Sequence, residues 1–137
     1  MFNKILIAHD LSSEAHHALR RAAQLARQYG AELLILRTDA PGLMDADPRF
    51  STDASLIEEI AEIDHELEAL AGGAGSERGS GGMASKLAAA KMASWSGVRA
   101  VIAAADRPAV LVDALDGVAG VGTVVLPRDR RLPARKL

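Results

Sequence analysis

The segment Arg78-Gly79-Ser80-Gly81-Gly82-Met83-Ala84-Ser85-Lys86 brings glycines, small hydroxyls and an ammonium together in one stretch. Glycines let backbone N–H groups approach a ligand closely. A helix opening at Met83 would add unpaired N–H groups and the positive end of its dipole. Lys86, on the first turn of that helix, supplies a mobile point charge. Ser80, Gly81, Gly82, Met83, Ala84, Ser85 and Lys86 are therefore the candidate cradle for a polyphosphate. The spacing is neither Gly-x-x-x-x-Gly-Lys-Ser/Thr nor Gly-x-Gly-x-x-Gly. Glycine content alone leaves a helix-capping loop as the other explanation.

Two further positions fall just past apolar runs that read as strands. Thr38 and Asp39 follow Leu33–Leu36, and Asp10 with Ser12 follows Ile5–Ala8. Open α/β sheets place ligands beyond the carboxyl ends of their strands. From the residues alone, Asp39 reads as a turn residue, and Asp10 serves equally as a helix-entry residue. His16 and His17 are adjacent and point to different helix faces, unlike a ligand pair at i, i+4. His9 and His65 have no partner nearby in sequence, Trp95 reads as a packing residue, and no Ser-His-Asp order is recognisable. No metal site is assigned.

The elements that must position these residues follow from apolar patterning. Lys4–Ala8 and Leu33–Leu36 are short continuous apolar runs, as in strands buried on both faces of a parallel sheet. Between them, Ala15, Leu19, Ala22, Ala26 and Tyr29 recur at helical spacing, with Ser12 or Ser13 as cap and Gly30 as stop. This is a βαβ unit, expected to cross over right-handed. Residues 41–55 are turn-rich. Residues 56–63 suggest a short strand, and 64–70 a helix. Six glycines fall within 72–82. A helix over 83–96 stopping at Gly97, a strand over 98–104, a helix capped by Asp106 with Pro108 in its first turn, and a last strand over 122–126 complete the order. The expected fold is a three-layer, Rossmann-like α/β sandwich with a mostly parallel sheet of four or five strands.

Bulk properties narrow the function classes. The chain has 137 residues, 49% hydrophobic and 25% charged, which suits one domain over 1–127 with a basic tail at 128–137. Aromatic residues make up only 3%, so the core must be built from Ala, Leu, Ile and Val. A net charge of −2 argues against electrostatically driven nucleic-acid or membrane binding. The absence of cysteine removes thiolate and disulfide chemistry. No apolar stretch approaches the length of a membrane span and no signal pattern opens the chain, so a cytoplasmic location is expected.

Whole words of sequence go further. Glu32-Leu33-Leu34-Ile35-Leu36, Thr38-Asp39, Gly42-Leu43 and Ala46-Asp47-Pro48-Arg49 are followed by Leu70 to Ser76 and Gly79 to Leu87. Val101-Ile102-Ala103-Ala104, Arg107-Pro108 and Val121-Gly122-Thr123 complete the set. Residues 31–137, roughly three quarters of the chain, thereby resemble the glutamate 5-kinases of the amino-acid kinase family. The resemblance implies ATP and Mg²⁺ as cofactors and L-glutamate as acceptor in proline biosynthesis. It implies nucleotide contacts from Thr38, Asp39 and Ser80 to Lys86, with Lys86 neutralising phosphate charge. Residues 1–36, with Lys4-Ile5-Leu6-Ile7-Ala8-His9-Asp10-Leu11-Ser12 and the helix ending at Tyr29-Gly30, instead resemble universal stress proteins. That likeness implies Asp10 near the adenine and ribose of ATP, and allows a homodimer. Its Gly-x-x-Gly, nine residues, Gly-Ser/Thr signature is absent: Gly79 and Gly82 begin one, but position 92 is Met. Asp10-Leu11-Ser12-Ser13 stands where the kinases carry a lysine and glycine loop, and the segment that holds glutamate is not recognisable. The chain reads as a join of two α/β families at an equivalent helix-to-strand junction. An incomplete kinase, a non-catalytic stress-type module and an engineered chimera all remain open on this sequence.

Overall fold

The apolar runs at Ile5, Leu34 and Val101 lie side by side in one sheet, the first of them at its edge. The structure is a computed structural model, describing residues 4–9, 16–46, 52–71 and 83–128. Its strands are β1 (Ile5–His9), β2 (Leu33–Thr38), β3 (Glu59–Ile60), β4 (Arg99–Ala104) and β5 (Thr123–Val125). Its helices are α1 (His16–Gln28), α2 (His65–Ala71), α3 (Met83–Trp95) and α4 (Val110–Asp116). The sheet order is β1-β2-β4-β5-β3, parallel except where β5 meets β4 antiparallel. The register sets Ile7 beside Ile35 and Ile35 beside Val101.

Alternation along β2 and β4 sends apolar side chains to both faces. Leu34, Leu36, Ala100 and Ile102 pack against Leu19, Ala22 and Ala26 of α1 and Leu87, Ala90 and Ala93 of α3. Leu33, Ile35, Val101 and Ala103 pack against Val110 and Ala114 of α4. Helices therefore cover both faces, giving the expected three layers. The alanines of α1 and α3 let these two helices pack directly on each other. Gly122 serves the sheet: a Cβ there would run into the Ile102 carbonyl oxygen as β5 leaves β4.

Several expectations need correction. β1 is an edge strand, and only its Leu6 and Ala8 side joins the core; Ile5 and Ile7 are exposed. The reason is coverage, since α4 lies over β2 and β4 on that side. Tyr29 is 63% exposed rather than on the buried stripe of α1, which Gly30 ends at φ 69°. Asp106 does not cap α4; the N-cap is Ala109, at φ 58° with no side-chain cap. Pro108 disfavours helical backbone at Arg107, whose N–H turns back to the Ala104 carbonyl instead. Trp95 is half-exposed and carries cations, Lys91 Nζ at 5.4 Å and the Arg128 guanidinium at 5.0 Å from its ring centre. His65 has a partner after all, with Nδ1 3.5 Å from Glu68 Oε1. Asp10, Ser12, Ser13, residues 72–82 with Ser80, Gly81 and Gly82, and the tail from 129 lie outside the described residues.

Candidate functional site

Parallel pairing brings the carboxyl ends of β1, β2 and β4 to one rim of the sheet. α3 descends from that rim: Gly97, at φ 83°, ends it, and Val98 N–H bonds back to the Ala93 carbonyl before β4 begins. The amino end of α3, Met83 to Lys86, therefore shares the rim with Thr38 and Asp39. Among the described residues these are the candidates that the fold brings together. β1 also runs to this rim, with His9 beside Arg37.

The rim residues divide into holders and presenters. Thr38 is fully buried; its hydroxyl donates to Asp39 Oδ1 at 3.2 Å, and its carbonyl accepts the Ala105 N–H at 2.6 Å. Thr38 thus orients Asp39, whose exposed carboxylate can meet a ribose hydroxyl or a hydrated Mg²⁺. Met83 packs on the core, and Lys86 is only 4% exposed, so the lysine is rooted in the protein rather than a mobile surface charge. A buried ammonium is tolerated only where charge or hydrogen bonds compensate it, and Lys86 is not without such a partner. Ala84 and Ser85 face a cleft of about 340 Å³ shared with Ala88 and Arg20 of α1. In the sequence Arg20 looks like solvated surface, one of the Arg20-Arg21 pair on an amphipathic helix, and nothing local marks it as part of this cleft.

Beyond Asp39 the chain forms a strap whose shape is set by Thr123. The fully buried Thr123 Oγ1 accepts the Leu43 N–H at 2.8 Å and donates to the Ile57 carbonyl at 2.7 Å. Ile57 N–H returns to the Leu43 carbonyl, and Asp45 and Ser55 exchange two more bonds of 2.8 Å. Gly42 fits because a Cβ would meet Leu56 and Thr123 at 2.7 Å. The segment after β2 is thus fixed over the start of β5. No local pattern marks Thr123, since its partners lie 66 and 80 residues away.

The amino acid kinase family profile matches residues 17–104, which include Thr38, Asp39 and Met83 to Lys86. The chain belongs to the amino acid kinase family. Within it, the chain is 50% identical over 107 residues to a glutamate 5-kinase of Photobacterium profundum, covering 78% of this chain and 28% of that protein. It is 47% identical over 115 residues to a glutamate 5-kinase of Deinococcus radiodurans, covering 84% and 31%. The chain thus spans about three tenths of the length of these relatives. Among solved structures, N-acetylglutamate synthase from Neisseria gonorrhoeae, complexed with coenzyme A and N-acetyl-glutamate, superposes with a TM-score of 0.60. It shares 26% identity, covering 81% of this chain and 23% of that one. The family match opens at residue 17, inside α1 and within residues 1–36. Among the described residues no helix is long and apolar enough to cross a membrane, and no cluster of three or more His, Cys, Asp or Glu could hold a metal.

Proposed function

We propose that this chain is the ATP-binding portion of a glutamate 5-kinase-like protein. The whole activity would be ATP-dependent phosphorylation of the L-glutamate side-chain carboxylate, within proline biosynthesis in the cytoplasm. The observation that carries this is the 50% identity with a glutamate 5-kinase over 107 residues. The geometry supports it, because Asp39 and the amino end of α3 meet at the carboxyl rim, where open α/β sheets take nucleotides. The donor set fits ATP with Mg²⁺: an oriented carboxylate, helix N–H groups and a lysine. Phosphoryl transfer spreads charge over the transferring group, and such groups stabilise it. In this proposal Lys86 and Ser80 to Ser85 hold the phosphates, Thr38 sets Asp39, and Asp10 lies near the base or ribose. Residues 1–127 form one α/β domain, and 128–137 a basic tail.

Turnover is not expected from this chain alone. In-line positioning of both substrates is worth about 7–11 kcal/mol of barrier, and the chain matches only 28–31% of the kinases' length. Incubation with ATP, Mg²⁺, glutamate and hydroxylamine should give no hydroxamate above a Lys86→Ala control. Hydroxamate above that control would mean that Asp10 and its neighbours complete the site. The second reading, a non-catalytic universal-stress-type nucleotide module or a chimera of the two families, rests on the Lys4 to Ser12 sequence. It would be favoured by ATP binding that Asp10→Ala abolishes and Lys86→Ala leaves unchanged.

A further inference from the structure

Two guanidinium groups gather around the turn that leaves β4, and each keeps one buried N–H donor without an acceptor. Arg37 follows Leu33 and Ile35 on the α4 side of β2, interrupting an otherwise apolar face. Its Nη2 donates to the Ala105 carbonyl at 3.2 Å, but its Nε is buried and unpartnered. Arg107 sits on the same turn, its N–H bonded to the Ala104 carbonyl. Its Nη2 pairs with Asp113 Oδ2 of α4 at 3.1 Å, while Nη1 is buried and unpartnered. Among the described residues, these two atoms are the buried side-chain nitrogens and oxygens left without a hydrogen bond.

Folded proteins satisfy nearly all buried polar atoms, and an unsatisfied group calls for a bound water, an ion or a function. Here two such donors, both on always-charged groups, sit within one turn of the sheet's carboxyl rim. Among the described residues, Asp113 balances Arg107, whereas Arg37 has only a neutral carbonyl as partner. The local balance of these three side chains is one positive charge. The planar fork of arginine matches oxygens of carboxylates and phosphates. We propose that Arg37 and Arg107 form an oxyanion site on the α4 side of the sheet. It takes a carboxylate or phosphate group, with Arg37 Nε and Arg107 Nη1 as the donors. This site is separate from the Lys86 cradle, which lies on the α3 side, and it does not depend on the kinase reading.

The test follows the ¹⁵N signals of the arginine side chains in the full chain. Inorganic phosphate is titrated in one arm and acetate in another, with sodium chloride holding ionic strength constant. Saturable shifts at Arg37 and Arg107 are expected. Saturation by both anions marks a general oxyanion site; saturation by one identifies phosphate or carboxylate as the group recognised. Arg37→Gln should weaken binding about tenfold or more, Arg37→Lys should weaken it less, and the surface variant Lys91→Gln should leave it unchanged. Shifts that stay linear with anion concentration in the parent chain overturn the proposal. So does saturation that persists unchanged in both Arg37→Gln and Arg107→Gln.

Discussion

Ala109 carries an L side chain where the backbone sits at φ 58°, ψ 26°. That region costs a residue with a Cβ about 1–2 kcal/mol, whereas glycine enters it freely but loses more entropy on folding. Ala109→Gly should therefore stabilise the fold by about 0.5–1 kcal/mol, read as a higher urea midpoint with an unchanged slope. Glu68 gives a residue-scale prediction with a pH signature. The 2.9 Å hydrogen bond from Lys91 holds its carboxyl below the ordinary carboxylate range. A lowered folded-state pKa favours folding while the carboxylate is ionised, and that contribution disappears as pH falls through the folded value. Between about pH 5 and pH 3, the parent should lose stability more steeply than Lys91→Met, in parallel urea titrations. Equal slopes would show that this half-buried pair contributes nothing. Lys86 shows what was legible at this scale: its sequence context marked it, but its burial depends on α3 docking to the sheet.

At the scale of elements, continuous apolar runs revealed β2 and β4 because both faces of those strands are covered. The same pattern misled at β1, where Leu6 and Ala8 meet the core and Ile5 and Ile7 do not. Edge position depends on strand order, which a local run does not encode. β3 shrank to Glu59–Ile60 because its pairing depends on a distant partner, β5. The strap after Asp39 was visible only as a turn-rich stretch, since the residue that fixes it arrives much later as Thr123. Replacing Thr123 by valine keeps the volume but leaves the Leu43 N–H and Ile57 carbonyl without their bonds. A loss of about 2–3 kcal/mol is expected by denaturant unfolding. Thr123→Ser should recover most of it. A larger loss in Thr123→Ser than in Thr123→Val would mean that the methyl group, not the hydroxyl, holds the strap.

For the whole molecule, the three-layer sheet was legible because strand and helix periods alternate cleanly along the chain. The site was legible in part: glycines, Thr38-Asp39 and Lys86 could be picked out, and parallel topology then gathers Asp39 and the start of α3 at one rim. Arg20 was not, because a single arginine on an amphipathic helix carries no periodic signal and its place beside the start of α3 arises from packing. We propose that this rim binds ATP through the amino end of α3. Isothermal calorimetry of the folded chain with ATP and Mg²⁺ tests it most directly, alongside Lys86→Ala checked for folding by circular dichroism. The expected result is weak saturable binding by the parent, weakened about tenfold to a hundredfold in Lys86→Ala by loss of a charge-assisted contact. No saturable heat from the parent, or the same affinity in the variant, would contradict it.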